Sequence, residues 1–107
     1  MGAFNELTAD FACSACGHRG RMNVQFKYGD TYQSRYSLGD KLRWGGNDVG
    51  VPSKKKVLVA GLAGPCPSCG VDGFDVGIVL EADILAGLEV PASPALLESP
   101  SGFLIVE

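Results

Sequence analysis

Two short cysteine motifs constrain this chain more than any other feature: Cys13-Ser14-Ala15-Cys16-Gly17 near the start and Cys66-Pro67-Ser68-Cys69-Gly70 past the middle. Each places two thiols two residues apart and follows the second with glycine. That spacing lets one tight turn direct both sulfurs at a single point, and the glycine permits the positive φ with which the chain leaves the turn. The chain holds 4 cysteines, all of them in these motifs. Arranged as two close pairs they suit a metal ion better than a disulfide framework.

Two such turns supply four thiolates, the donor set of a closed tetrahedral site with Zn–S bonds of about 2.3 Å. The expected ligands are Cys13, Cys16, Cys66 and Cys69, and the expected cofactor is one zinc ion, with iron the less favoured alternative because thiolate sites of this geometry accept both. A filled tetrahedron keeps no position for water or substrate, so the metal is expected to be structural and the protein not an enzyme. The rest of the sequence agrees, since one histidine and scattered aspartates do not assemble a nucleophile with its base or a pair of convergent carboxylates.

With these motifs the chain resembles a zinc ribbon, in which two knuckled β-hairpins enclose the ion. Cys66-Pro67-Ser68-Cys69-Gly70 in particular is similar to the second knuckle of rubredoxins, a likeness that implies a rubredoxin-like iron electron carrier as an alternative. Rubredoxins are shorter between their knuckles, whereas nearly half of this chain separates Cys16 from Cys66.

The flanking segments read as strands. Residues 20–28 alternate, with Met22, Val24, Phe26 and Tyr28 on one face and Asn23, Gln25 and Lys27 on the other, as in a half-buried antiparallel strand. Residues 8–12 lead into the first knuckle, 56–62 lead into the second and 74–80 leave it, so each knuckle is expected at a hairpin tip. Between the hairpins, a turn at Gly29-Asp30, a strand over 31–36, a turn at 38–40 and a strand over 41–44 suggest a β-meander, followed by a long irregular loop over 45–53. Further strands are expected at 84–90 and 102–106, with a short turn or helix at 94–98. With 15 glycines and 6 prolines in 107 residues, turns should be many and helix scarce. The expected fold class is mainly β: a zinc ribbon of two knuckled hairpins with a β-meander insertion between them and little helix, forming a single domain over residues 1–107.

Other residues invite functional readings. His18, two residues past Cys16, is a candidate extra ligand, although four thiolates already complete the site. Lys54, Lys55 and Lys56, taken with Arg19 and Arg21 beside the first knuckle, suggest a basic patch and hence a nucleic-acid-binding adaptor. A formal net charge of −3 disfavours that reading and leaves another protein as the expected partner. Tyr28, Tyr32, Tyr36 and Trp44 are candidates for a stacking surface, or for core packing. The 45–53 loop lacks the Gly-Lys-Ser/Thr ending of a nucleotide loop and reads as a connector or recognition loop. No uninterrupted apolar run reaches the roughly 20 residues of a membrane span, and the first residues have neither the basic start nor the apolar core of a secretory signal. Glu6 stands where myristoylation prefers Ser or Thr. A cytoplasmic protein without membrane association is expected.

Overall fold

The alternation around Met22 is realised as a strand that buries Met22, Val24 and Phe26 and exposes Arg21, Asn23 and Gln25. It belongs to a computed structural model that describes residues 4–13, 15–31, 34–45, 48–52, 54–70, 73–90, 92–99 and 102–106. Among these residues the elements in chain order are β1 (Asn5–Ala12), β2 (Arg19–Phe26), β3 (Gly29–Asp30), β4 (Arg35–Ser37), β5 (Asp48–Val49), β6 (Lys56–Ala63), β7 (Phe74–Glu81), β8 (Ile84–Glu89), α1 (Pro94–Leu97) and β9 (Phe103–Ile105). The protein is mainly β, with almost no helix.

β1 and β2 form one antiparallel hairpin, from Asn5↔Phe26 at its base to Ala12↔Arg19 at its tip. β6 and β7 form the other, from Lys56↔Glu81 to Ala63↔Phe74. β2 pairs with β6 through Val24↔Ala63, Gln25↔Leu62 and Phe26↔Gly61, so the two hairpins lie side by side with their tips toward the same end. Neighbouring strands run in the order β4-β1-β2-β6-β7-β8, and β9 also pairs with β6.

The sheet curls until its margins meet. Just past β4, the Gly39 N–H donates to the Leu85 carbonyl at 2.7 Å, Leu85 N–H to Asp40 at 3.0 Å and Leu42 N–H to Asp83 at 2.7 Å. These bonds tie the chain beyond one edge strand to the start of the other, which satisfies backbone groups that an open edge would leave to solvent or to another chain. The enclosed face carries Leu7, Val24, Val59, Val76, Ile78, Leu80 and Leu85, all buried. Each such side chain contributes on the order of 1.5–3 kcal/mol over its exposed state. On the outer face Leu96 of α1 is buried against Gly77, where a Cβ would come within 3.2 Å of it. Ser93 caps α1, its hydroxyl accepting from the Leu96 N–H at 3.4 Å.

The segment between the hairpins differs from the expected meander. β4 lies parallel to β1 through Leu7↔Tyr36, and β3 pairs with β5 in a separate two-stranded sheet. Gly29 and Asp30, expected as a turn, are β3, and the expected loop over 45–53 contains β5, while its Gly46, Asn47 and Ser53 lie outside the described residues. Residues 41–44 hold only an isolated bridge, Lys41↔Ile84. The cause is long-range. Asn5, fully buried, donates from Nδ2 to the Tyr28 carbonyl at 3.0 Å and accepts from the Ser34 N–H at 3.1 Å. This one amide holds the end of the β2 segment and the approach to β4 against β1, so the chain returns beside β1 instead of folding back on β2.

Replacing Asn5 with alanine leaves the buried Tyr28 carbonyl and the part-buried Ser34 N–H without this partner; a fully buried orphan costs about 1–3 kcal/mol and a part-buried one less. The expected loss is about 2–4 kcal/mol, read as a lower urea midpoint at unchanged slope; an unchanged midpoint would remove Asn5 as the organising residue.

Candidate metal centre

The two hairpin tips have matching backbone geometry. In the first, Gly17 N–H donates to the Cys13 carbonyl at 2.9 Å; in the second, Gly70 N–H donates to the Cys66 carbonyl at 2.9 Å. The two glycines adopt φ of 77° and 75°, the left-handed conformation expected from the motif. Cys13 N–H donates to the His18 carbonyl at 2.8 Å and Gly73 N–H to the Ala63 carbonyl at 3.0 Å, closing each tip onto its own strands. The sequence echo between the motifs is thus a structural one. Ser14, within the first, lies outside the described residues.

The structure brings Cys13, Cys16, Cys66 and Cys69 together with all four Sγ atoms within 4.8 Å of one another. Cys13 Sγ stands 3.8 Å from Cys69 Sγ, and Cys16 Sγ stands 3.7 Å from Cys66 Sγ. A tetrahedron with metal–sulfur bonds of about 2.3 Å has edges of about 3.8 Å, so both separations across the tips match that geometry. They are far longer than the roughly 2.05 Å of a disulfide, and none of the four cysteines is disulfide-bonded. Among the described residues no histidine or carboxylate joins the group. The donor set therefore fits a metal ion, to which it offers four soft sulfur donors.

Within each tip the first cysteine is buried and the second exposed. Cys13 and Cys66 continue the core, which closes at this end where Phe11 of β1 meets Phe74 of β7 edge to face at 6.3 Å. The Ala15 N–H approaches Cys13 Sγ at 3.4 Å. At Cys66 the Cys69 N–H is the largest influence holding the thiol down, to about 6 from 9.0; burial opposes it, and the Ser68 N–H and the neighbouring thiols of Cys13 and Cys16 support it.

The sign of that shift gives a pH dependence for the metal-free, reduced protein. A thiol whose folded pKa is depressed contributes stability that is fully present above its unfolded value near 9.0 and is lost as pH falls through about 6. The denaturation midpoint should therefore decline from pH 9 toward pH 6 while ultraviolet thiolate absorbance falls near pH 6. A serine at position 66 should abolish the thiolate step; its persistence would assign the step elsewhere.

The other candidates separate on the structure. His18 contributes its carbonyl, while its exposed side chain lies outside the sulfur group. The basic residues do not form one patch. Arg19 and Arg21 flank the first tip, whereas Lys56 opens β6 at its opposite end, roughly 23 Å from Ala63 by strand rise. Arg21 also approaches Asp10, at 3.8 Å. Tyr28 and Tyr36 are buried, and Trp44 packs partly buried against the core. Trp44 lies 5.5 Å from the Tyr28 ring, and Tyr36 lies 6.0 Å from Phe26, so these aromatics pack the core rather than form a stacking platform. Tyr32 lies outside the described residues. Sequence reasoning missed Asp83, buried in the β7–β8 turn, whose Oδ2 accepts from Trp44 Nε1 at 3.3 Å. A lone aspartate between two strands ordinarily signals only an exposed turn.

Among the described residues no helix is long and apolar enough to cross a membrane. Comparison of the chain with protein-family models, with curated proteins and with solved structures gives no match.

Proposed function

We propose that the four cysteines hold one zinc ion as a closed structural site that staples the two hairpins together, and that the domain is a non-catalytic module binding another protein. The observation carrying this reading is the convergence of four sulfurs from two separated turns at tetrahedral spacing. A tetrahedron filled by thiolates offers no coordination position at which to ionise water or polarise a substrate. Support for a protein partner comes from the formal charge of −3 and from the separation of the basic residues to opposite ends of the sheet, both of which work against binding to a phosphate backbone. Zinc is preferred to iron because it is the usual occupant of paired Cys-x-x-Cys turns.

Elemental analysis and an absorption spectrum of one purified, untagged sample test the metal. One zinc per chain in a colourless solution is the expected result. Stoichiometric iron with visible charge-transfer bands would replace the structural reading with an electron carrier. Salt-sensitive retention on heparin would turn the partner into nucleic acid, whereas flow-through at low salt supports the protein-binding reading.

A further inference from the structure

One edge of β6 is shared by two strands. β2 pairs with it from Ala63 to Gly61, and β9 takes over from Val59 to Val57 along the same line. At the changeover the Ala60 N–H donates to the Gly102 carbonyl at 2.8 Å. The chain leaves this line after Phe26, and neither strand fills the gap. The result is an open notch of about 340 Å³ bounded by Phe4, Phe26, Lys27, Leu62, Asp75 and Gly102. That volume lies at the lower end of ligand sites and accommodates one or two side chains, not a helix.

The notch opens on the outer face, where pairing places Gln25, Leu62 and Asp75 in one row across β2, β6 and β7. Leu62, 50% exposed, is among the most exposed large apolar side chains described and lies on its floor. Lys27 and Asp75 are exposed and make no ion pair with the described residues. They flank β6 on opposite sides, two strand spacings apart and also two residues apart along the strands, since Asp75 lies opposite Leu62 while Lys27 follows the Phe26↔Gly61 pair; by strand geometry that is about 12 Å in all. Three to four residues of extended peptide cover that distance at about 3.3 Å each. Backbone groups of β6 at the notch are already paired with Phe26 and Gly102, so a partner engages side chains and does not add a strand.

We propose that this notch docks an extended segment of a partner protein: an aliphatic or aromatic side chain rests on Leu62, with an acidic residue at Lys27 and a basic residue three to four positions away at Asp75. This rests on the protein-binding reading above and names the surface and the partner's chemistry. The lining supplies the apolar contact, and the two charges fix the direction in which the peptide lies.

The test is selection of random peptides displayed on phage against the full chain as purified, followed by titration of the enriched peptides as synthetic fluorescent probes. The expected consensus is an apolar residue between an acidic and a basic residue three to four apart. Leu62→Glu should weaken binding at least about tenfold. Lys27→Glu should weaken it about three- to fivefold, the scale of an exposed charge pair, and exchanging the peptide's acidic residue for lysine should restore it. All these positions are exposed, so unchanged metal content and thermal midpoint establish that the variants remain folded. Peptides whose binding ignores Leu62→Glu and Lys27→Glu would overturn the notch while leaving a protein-binding role intact. Failure to enrich any peptide on any face would overturn both, and binding of small apolar dyes without peptides would reassign the notch to a small molecule.

Discussion

Serine in place of Cys13 is expected to abolish stoichiometric metal binding and to lower stability by at least about 3 kcal/mol, or about 15 °C in thermal midpoint for a chain of this size. Structural zinc contributes on the order of 10–16 kcal/mol in small peptides, but this domain also has a core of its own, which retains part of its stability without the ion. The loss should be local first. Amide exchange should accelerate at the two tips, around Ala12 and Ala63, before it does at Val59 and Ile78 in the centre of the sheet. A chelator should reproduce the pattern reversibly. Cys16→Ser separates coordination from packing, because Cys16 is exposed where Cys13 is buried. If the ion dominates, the two serine variants lose similar stability. A large loss from Cys13→Ser beside a negligible one from Cys16→Ser would mean that the cysteines act as core residues and would sink the metal reading.

Alanine at Gly50 should destabilise the protein by about 3–4 kcal/mol, from left-handed backbone strain and overpacking together. Gly50 has a φ of 96°, and a Cβ there would overlap the ring of Tyr28. That ring cannot yield readily. Its hydroxyl donates to the Val51 carbonyl at 2.9 Å and accepts from the Val51 N–H at 3.3 Å, and its faces and edges meet Trp44 at 5.5 Å and Phe103 at 5.2 Å. Gly39 provides the control. Its φ of 94° is nearly the same, yet nothing lies within 4 Å of the Cβ position, so Gly39→Ala should show only the conformational part, about 1–2 kcal/mol. Urea midpoints for the two variants decide the matter. Equal losses would show that the packing of Gly50 on Tyr28 adds nothing to backbone strain.

These two sites differ in how plainly they can be read along the chain. The cysteine turns are local: two residues between thiols and a following glycine dictate the turn, and the repeated motif implies a second half to the site. Strand faces are similarly local, because a period of two places Met22, Val24, Phe26 and Tyr28 on one side whatever the partner strand. The Gly50–Tyr28 contact is not local. Nothing in the run of glycines over 45–50 tells that Gly50 is pressed against an aromatic ring while Gly45 lies against the Asp30 carboxylate, since the ring of Tyr28 arrives from the segment just past β2, more than twenty residues earlier. Asn5 and Asp83 show the same limit, being polar residues buried only because backbone groups or an indole brought from elsewhere satisfy them.

What the sequence by itself determined is the pair of Cys-x-x-Cys-Gly turns, the two hairpins that carry them and the mainly β character, all consequences of spacing over a few residues. Tertiary structure alone decided that β4 runs parallel to β1, that residues 39–42 seal the curled sheet against β8, and that β9 follows β2 along β6 and leaves a notch between them. Alternation specifies which face of a strand is buried but not which strand lies beside it. That choice depends on burial and hydrogen bonding summed over contacts distant in sequence, and here Asn5 and the closure around Leu85 tip it away from a simple meander.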